Sequence, residues 1–304
     1  MIVQPSIPLF QLTKELWPVI ALVTAYSIGI SLLDQKYHLE DLHMPAGLAT
    51  LPGALIGILL AFRTNACYLR WWEARILWGK IVNDSRNWVR QILEFATPTT
   101  DEGLAKPDSQ IVQMAHRQIA WCYALTRSLR KQDPFVDIGG ILPPAELEQL
   151  QNQKNVPNAI LLNQARNLRN LRNQNRIDSF QFIRLEETLT RLTDSMGGCE
   201  RILNTPFPQS YQIWIKYLIY LFIIFLPFAL VDMPAVGLVF VTVPIAVGFL
   251  IIDRVATYLE DPFVHRVSST PMLTLSRTIE INIRQMLDEQ DLPPMMEPVK
   301  GVLY

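Results

Sequence analysis

Four histidines, His38, His43, His116 and His265, and three cysteines, Cys67, Cys122 and Cys199, are the residues best suited to ligate a metal or attack a substrate. Their spacing supports neither. The histidines form no HExxH-type pair, the cysteines stand singly without a CxxC, and no GxSxG, Walker or GxGxxG string occurs. His38 and His43 share a short segment with Asp34, Glu40 and Asp41, a group that could bind a cation. Histidines and carboxylates on an exposed loop rarely close a coordination shell, so a solvated loop is the plainer reading. No catalytic residue, metal or cofactor is expected. One charged pattern stands out: Arg166, Arg169, Arg172 and Arg176, with no acidic residue between Glu148 and Asp178. Spacings of three, three and four predict one strongly basic helix face, for which a solvated surface or a pairing surface facing Glu186 and Glu187 is the bland alternative.

Hydropathy sets the helices on which these residues sit. Of 304 residues, 50% are hydrophobic and only 18% charged, with 27 Lys+Arg against 28 Asp+Glu. A chain this apolar is not disordered, and its near-neutral charge argues against nucleic-acid binding, which needs a basic excess to neutralise phosphates. Leu16 to Leu33, Met44 to Phe62 and Met233 to Ile252 are uncharged apolar runs, each long enough to cross a hydrocarbon core about 30 Å thick. Residues 213–231 make a fourth if Lys216 snorkels to the interface. The spans carry no other ionisable group, which argues against a proton-coupled transporter. Lys14 and Glu15 precede the first run and no small-residue cleavage site precedes Asp34, so a removable signal peptide is not expected.

Lys14, Arg63, Arg70, Arg75, Lys80, Arg201, Lys216, Arg254 and Arg266 flank one side of these spans, and only Lys36 lies on the other. By the positive-inside rule both termini are cytoplasmic, in the plasma (inner) membrane. Residues 63–212 then form a cytoplasmic insertion and 253–304 a cytoplasmic tail. Trp78, Val82, Trp88, Val89, Ile92 and Leu93 recur at helical intervals, so the insertion is expected to be helical. Breaks are expected at 97–107, 133–144, Gly197-Gly198 and 205–208, with Pro271 and Pro293-Pro294 punctuating the tail. An all-α protein of four spans continuing into cytoplasmic helices, with 1–304 as one domain, is the expected architecture.

Beyond the second run comes Phe62-Arg63-Thr64-Asn65-Ala66-Cys67-Tyr68-Leu69-Arg70-Trp71-Trp72-Glu73-Ala74-Arg75, then Leu77-Trp78-Gly79 and Val82-Asn83-Asp84-Ser85-Arg86. Arginines mixed with aromatic residues suit a helix leaving a bilayer. The whole string resembles the bestrophin family, and Gly198-Cys199-Glu200-Arg201-Ile202, Thr205-Pro206 and Tyr211 resemble its prokaryotic members. Glu260-Asp261-Pro262-Phe263 is similar to the family's element after the last span. The resemblance covers nearly the whole chain.

It implies a homopentameric ion channel with one central pore, a hydrophobic neck on the second span and a narrow cytoplasmic aperture. By this likeness the neck falls on Ala54, Ile58 and Phe62, whose spacing of four is consistent with one helix face, although periodicity alone also suits ordinary lipid-facing or core positions. Gly53, Gly57 and Ala61 form a neighbouring small-residue stripe suited to helix packing. The aperture falls on Ile177, with a plain core contact as the alternative. Five copies of the arginine face around a vestibule would enrich anions at the inner mouth, whereas Asp34, Glu40 and Asp41 pull toward cations outside. The family likeness leans to chloride or bicarbonate. The same architecture passing sodium or potassium, and a scaffold whose basic helix binds a soluble partner or anionic lipid, stay open. Expected partners are further copies of the chain, membrane lipids and permeating ions. Residues 261–268 lack the acidic run of a calcium clasp, so calcium activation is not expected.

Overall fold

A computed structural model describes residues 9–37, 45–97, 99–100, 103–104, 106–231, 233–264 and 269–298. Among these, helices α1 (Leu9–Tyr37), α2 (Ala46–Ala96), α3 (Ser109–Leu129), α4 (Pro144–Gln151), α5 (Val156–Asn173), α6 (Ser179–Asn204), α7 (Gln209–Phe225), α8 (Ala235–Glu260) and α9 (Met272–Met286) dominate. Two-residue strands β1 (Thr99–Thr100) and β2 (Gly103–Leu104) pair antiparallel within the segment expected to break the helices. The fold is all-helical apart from this pair. The acidic segment with His38, His43, Glu40 and Asp41, and residues 265–268 of the clasp-like stretch, lie outside the described residues.

Contacts divide the chain into two compact units. The first, Gln4–Trp71 with Pro206–Asp261, holds α1, the start of α2, α7 and α8. Among the described residues four helices are long and apolar enough to cross a membrane: Leu16–Tyr37, the Ala49–Ala96 helix, Gln209–Ala229 and Ala235–Glu260. The protein is an integral membrane protein. Within this apolar unit α1 packs along α8, and α7 packs on α8. Leu16, Val23, Ile56, Leu60, Ile219, Phe222, Ala246 and Leu250 form its core. Pro18, Pro52 and Pro244 sit inside its helices, a placement tolerated at membrane depth where neighbouring helices and local adjustments re-satisfy the freed carbonyls.

The second unit comprises Trp72–Thr205 and the chain from Pro262, and α3 is its hub, packed against α5, α6 and α9. Trp78, Trp88 and Trp121 are fully buried in its core with Ile92, Met114, Ile119, Leu185 and Ile279. The caps explain where its helices begin. Asp108 accepts from the Ile111 N–H at 3.0 Å, Asn155 accepts from the Asn158 N–H at 3.1 Å, and Asp178 with Gln181 forms a capping box at the head of α6.

Gly197-Gly198, expected as a break, lies inside an unbroken α6. Its role is steric: a Cβ at Gly198 would stand 2.9 Å from Leu77 Cδ1, so glycine admits close contact between α6 and α2. The expected breaks near 133–144 and 205–208 do separate helices.

Candidate functional site

On α2 the buried and uncovered residues form two opposed stripes. Ile56, Leu60, Arg63 and Cys67 are all buried, and at 3.6 residues per turn they share an arc of about 60°. Ala54, Ile58 and Phe62 share an arc of roughly 80° on the opposite side. Ile58 is 55% and Phe62 67% exposed within the subunit, and Ala54, Leu51 and Leu55 are exposed with them. Gly53 meets the Phe222 ring, where an added Cβ would come within 3.2 Å of its nearest carbon. Gly57 and Ala61 instead line an open groove with Thr64, Asn65, Tyr68 and Ile252.

Arg63 is the exception in the apolar stripe. Only 2% of its surface is exposed, and every partner found for it lies on α8: Nη1 pairs with Asp253 Oδ1, Nη2 donates to Thr257 Oγ1 at 3.1 Å, and Nη2 lies 3.7 Å from Glu260 Oε2. Glu260 also accepts from Gln212 Nε2 of α7, and its carbonyl accepts from Arg70 Nε at 3.3 Å. Burying a guanidinium is tolerable only with such partners. The inward face of α8 runs Leu238, Thr242, Ala246, Leu250 and then Asp253, Thr257 and Glu260, uncharged until the apolar run ends. In the sequence Arg63 figures as a flanking charge and as one letter of the motif string, with no partner indicated. Its partners lie 190 residues or more away, beyond what local spacing encodes; the signal is that Arg63 and Asp253 are each the first charge after an apolar run.

The motif strings form packing seams in the other unit. Glu73 pairs with Arg201, and Leu77 packs on Gly198, so the Trp-Glu-Ala-Arg and Gly-Cys-Glu-Arg strings meet. Asp84 accepts from Arg191 Nε at 2.9 Å, Ser85 accepts from Gln118 Nε2 at 3.0 Å, and Arg86 Nε donates to Asn282 at 2.9 Å. Three consecutive residues, each turned about 100° from the last, thus bond α6, α3 and α9 in turn. Burial, reinforced by Glu200 and Glu73, pushes the Cys199 thiol up to about 12. Burial likewise lifts Cys122 to about 12, opposed by hydrogen bonds with Ser85 and Gln118. Neither is a poised nucleophile.

The four arginines do not form one face. Arg166, Arg169 and Arg172 are exposed on α5, where Arg172 stacks 5.0 Å from the centre of the Phe182 ring. The helix ends at Asn173, and Asn175 takes a left-handed φ of 55°. The chain therefore turns back, and Arg176 reaches Asp108 Oδ2 at 2.6 Å and the Ala96 carbonyl at 2.7 Å. The same turn drives Ile177 inward, leaving it 4% exposed among core residues. Three residues on, Phe180 is 82% exposed in the first turn of α6. No cluster of three or more histidine, cysteine or carboxylate groups that could hold a metal occurs among the described residues.

A family profile described as Bacterial/Fungal Bestrophin protein matches residues 10–285. The chain belongs to the bestrophin family. Among its relatives, a voltage-dependent anion channel-forming protein of Ralstonia nicotianae is 33% identical over 268 residues, covering 86% of this chain and 85% of that protein. A voltage-dependent anion channel-forming protein of Salmonella typhi is 32% identical over 274 residues, covering 90% and 87%. The crystal structure of a bacterial bestrophin homolog from Klebsiella pneumoniae matches with a TM-score of 0.82 at 30% identity, covering 90% of this bestrophin and 98% of that chain.

Proposed function

We propose that this bestrophin forms a membrane channel, not an enzyme, that passively conducts small monovalent anions, chloride and bicarbonate, through a pore enclosed by five copies of the chain. The observation that carries this reading is the apolar stripe Ala54, Ile58 and Phe62. It is uncovered in the subunit and stands opposite a stripe that is buried without interruption. Ringed around an axis, such side chains make a hydrophobic constriction that can gate by dewetting. The groove along Gly57 and Ala61 then receives a neighbouring helix. Both termini face the cytoplasm, in the inner membrane, and conduction needs no calcium.

Anion preference is supported by the naming of the relatives as anion channel-forming proteins and by the exposed face of Arg166, Arg169 and Arg172, which raises local anion concentration if it lines a vestibule. The aperture lies in the segment that begins at Ile177, and the side chain exposed to line it is Phe180, because Ile177 is packed in the subunit's own core.

The test is the reversal potential of the purified protein in planar bilayers under a tenfold sodium chloride gradient. Reversal at the chloride potential is expected. Reversal at the sodium potential would overturn anion selectivity, and absence of current would favour a scaffold. Ala54→Ile should narrow the outer neck and cut single-channel current, an unchanged current counting against a neck at that position.

A further inference from the structure

We infer that Arg63 is a positioning residue for the neck: its bonds to α8 fix the rotation of α2 and thereby hold Phe62 and Ile58 away from α8. The inference rests on the channel reading for its consequence, but its geometry stands alone. A helix whose buried face is purely apolar can rotate or slip at modest cost, because leucine and isoleucine side chains interdigitate in several registers and the hydrocarbon around them is equally apolar. Ile56 and Leu60 give α2 that kind of face. Arg63 removes the freedom. Its guanidinium is buried, so it cannot exchange these partners for water, and its Nη groups are held by Asp253, Thr257 and Glu260 at positions spaced four and three along α8. Two hydrogen-bond acceptors and a carboxylate 3.7 Å away, spread over two turns, define both the rotation and the height of α2 against α8. Glu260 is itself held by Gln212 and Arg70, so the acceptor array is braced. Phe62 precedes Arg63 in the chain, and at about 100° per residue any rotation that frees Arg63 carries the Phe62 ring with it. The aromatic residue that closes the neck is therefore aimed by the charged residue beside it.

The test places a nitroxide spin label at position 62 through F62C in the full chain reconstituted in lipid. The native thiols Cys67, Cys122 and Cys199 are all buried and do not compete for the label. Collision rates are read with dissolved oxygen, which partitions into lipid, and with a water-soluble nickel chelate. With Arg63 intact the label collides freely with at least one agent. Arg63→Gln should lower that rate at least twofold and immobilise the label, and the exchanged pair Arg63→Asp with Asp253→Arg should restore it. An unchanged rate and mobility in Arg63→Gln overturns the inference. If Arg63→Gln does not accumulate in the membrane, Asp253→Val and Thr257→Val each remove one bond and should give a graded fall, and no fall in either overturns the inference equally. A label that collides with oxygen but not with nickel lies in lipid, which sinks the pore reading while leaving the effect of Arg63 measurable. In bilayers the same single variants should lower unitary conductance and the exchanged pair should recover it.

Discussion

The two units bury their helices by different means. In the unit holding Trp78, Trp88 and Trp121, large side chains fill the interior and three consecutive polar residues of α2 each bond a different helix. In the apolar unit the core is mostly aliphatic around the Phe222 and Phe249 rings, and one charged cluster around Arg63 supplies directional bonds at the end of the apolar runs. Volume and hydrogen bonds together specify the first arrangement. In the second, a single guanidinium carries much of the specificity, and an entire face of α2 remains uncovered by its own chain. The difference is what a channel subunit requires: one part that folds against itself, and another that reserves a face for neighbours, lipid or ions.

The contrast can be broken by substitution. Trp88→Ala should cost about 3–5 kcal/mol through the cavity it opens, read as a large fall in thermal midpoint in detergent. Breaking the Arg117 and Glu146 pair, bonded at 2.6 and 2.9 Å and buried on both sides, should follow closely. Arg117→Met alone should cost about 3–5 kcal/mol, whereas Arg117→Met with Glu146→Leu should recover most of it, because the stranded charge rather than the lost attraction sets the penalty.

The buried thiols give a smaller, pH-dependent effect. Cys122 and Cys199 hold their protons to about 12 in the fold against an ordinary 9.0, so the folded state binds more protons above pH 9. Their contribution is intact below about pH 9 and declines as pH rises toward 12, by up to roughly 1.4 kcal/mol per pH unit for each thiol. Cys199→Ala should flatten the fall in midpoint between pH 9 and 10.5. Asp178→Ala removes the capping box of α6 and should cost about 1 kcal/mol in denaturant titration. Ile58→Ala, on the uncovered face, should change stability by no more than about 0.5 kcal/mol while altering conductance. A loss as large as that of Trp88→Ala would mean the stripe is a packed core and would dissolve the contrast.

Much of this was legible in the residues. Uncharged runs locate the apolar helices because hydrophobic length is additive along a chain, and the apolar intervals around Trp78 and Trp88 mark a helix because their partners lie on one face. Pairing across long separations was not legible. Arg63 and Asp253 look like topology markers until the fold brings them together. Gly197-Gly198 carries the composition of a break, but what decides its state is Leu77. The arginine series looks continuous by spacing, yet the left-handed turn at Asn175 takes Arg176 and Ile177 into different surroundings. Asparagine tolerates that conformation better than most residues, a hint that charge periodicity hides.

Light emission separates the two units without any label. Trp78, Trp88 and Trp121 have fully buried rings, and their indole N–H groups find no acceptor among the described residues, so their fluorescence should sit to the blue and ignore quenchers dissolved in water. Trp17 and Trp214 lie on the apolar helices and are uncovered by their own chain, where brominated acyl chains should dim them if lipid is their neighbour. Apart from Trp71 and Trp72, an unmodified sample thereby carries buried reporters in one unit and uncovered ones in the other, and slow heating would register which of the two loosens first.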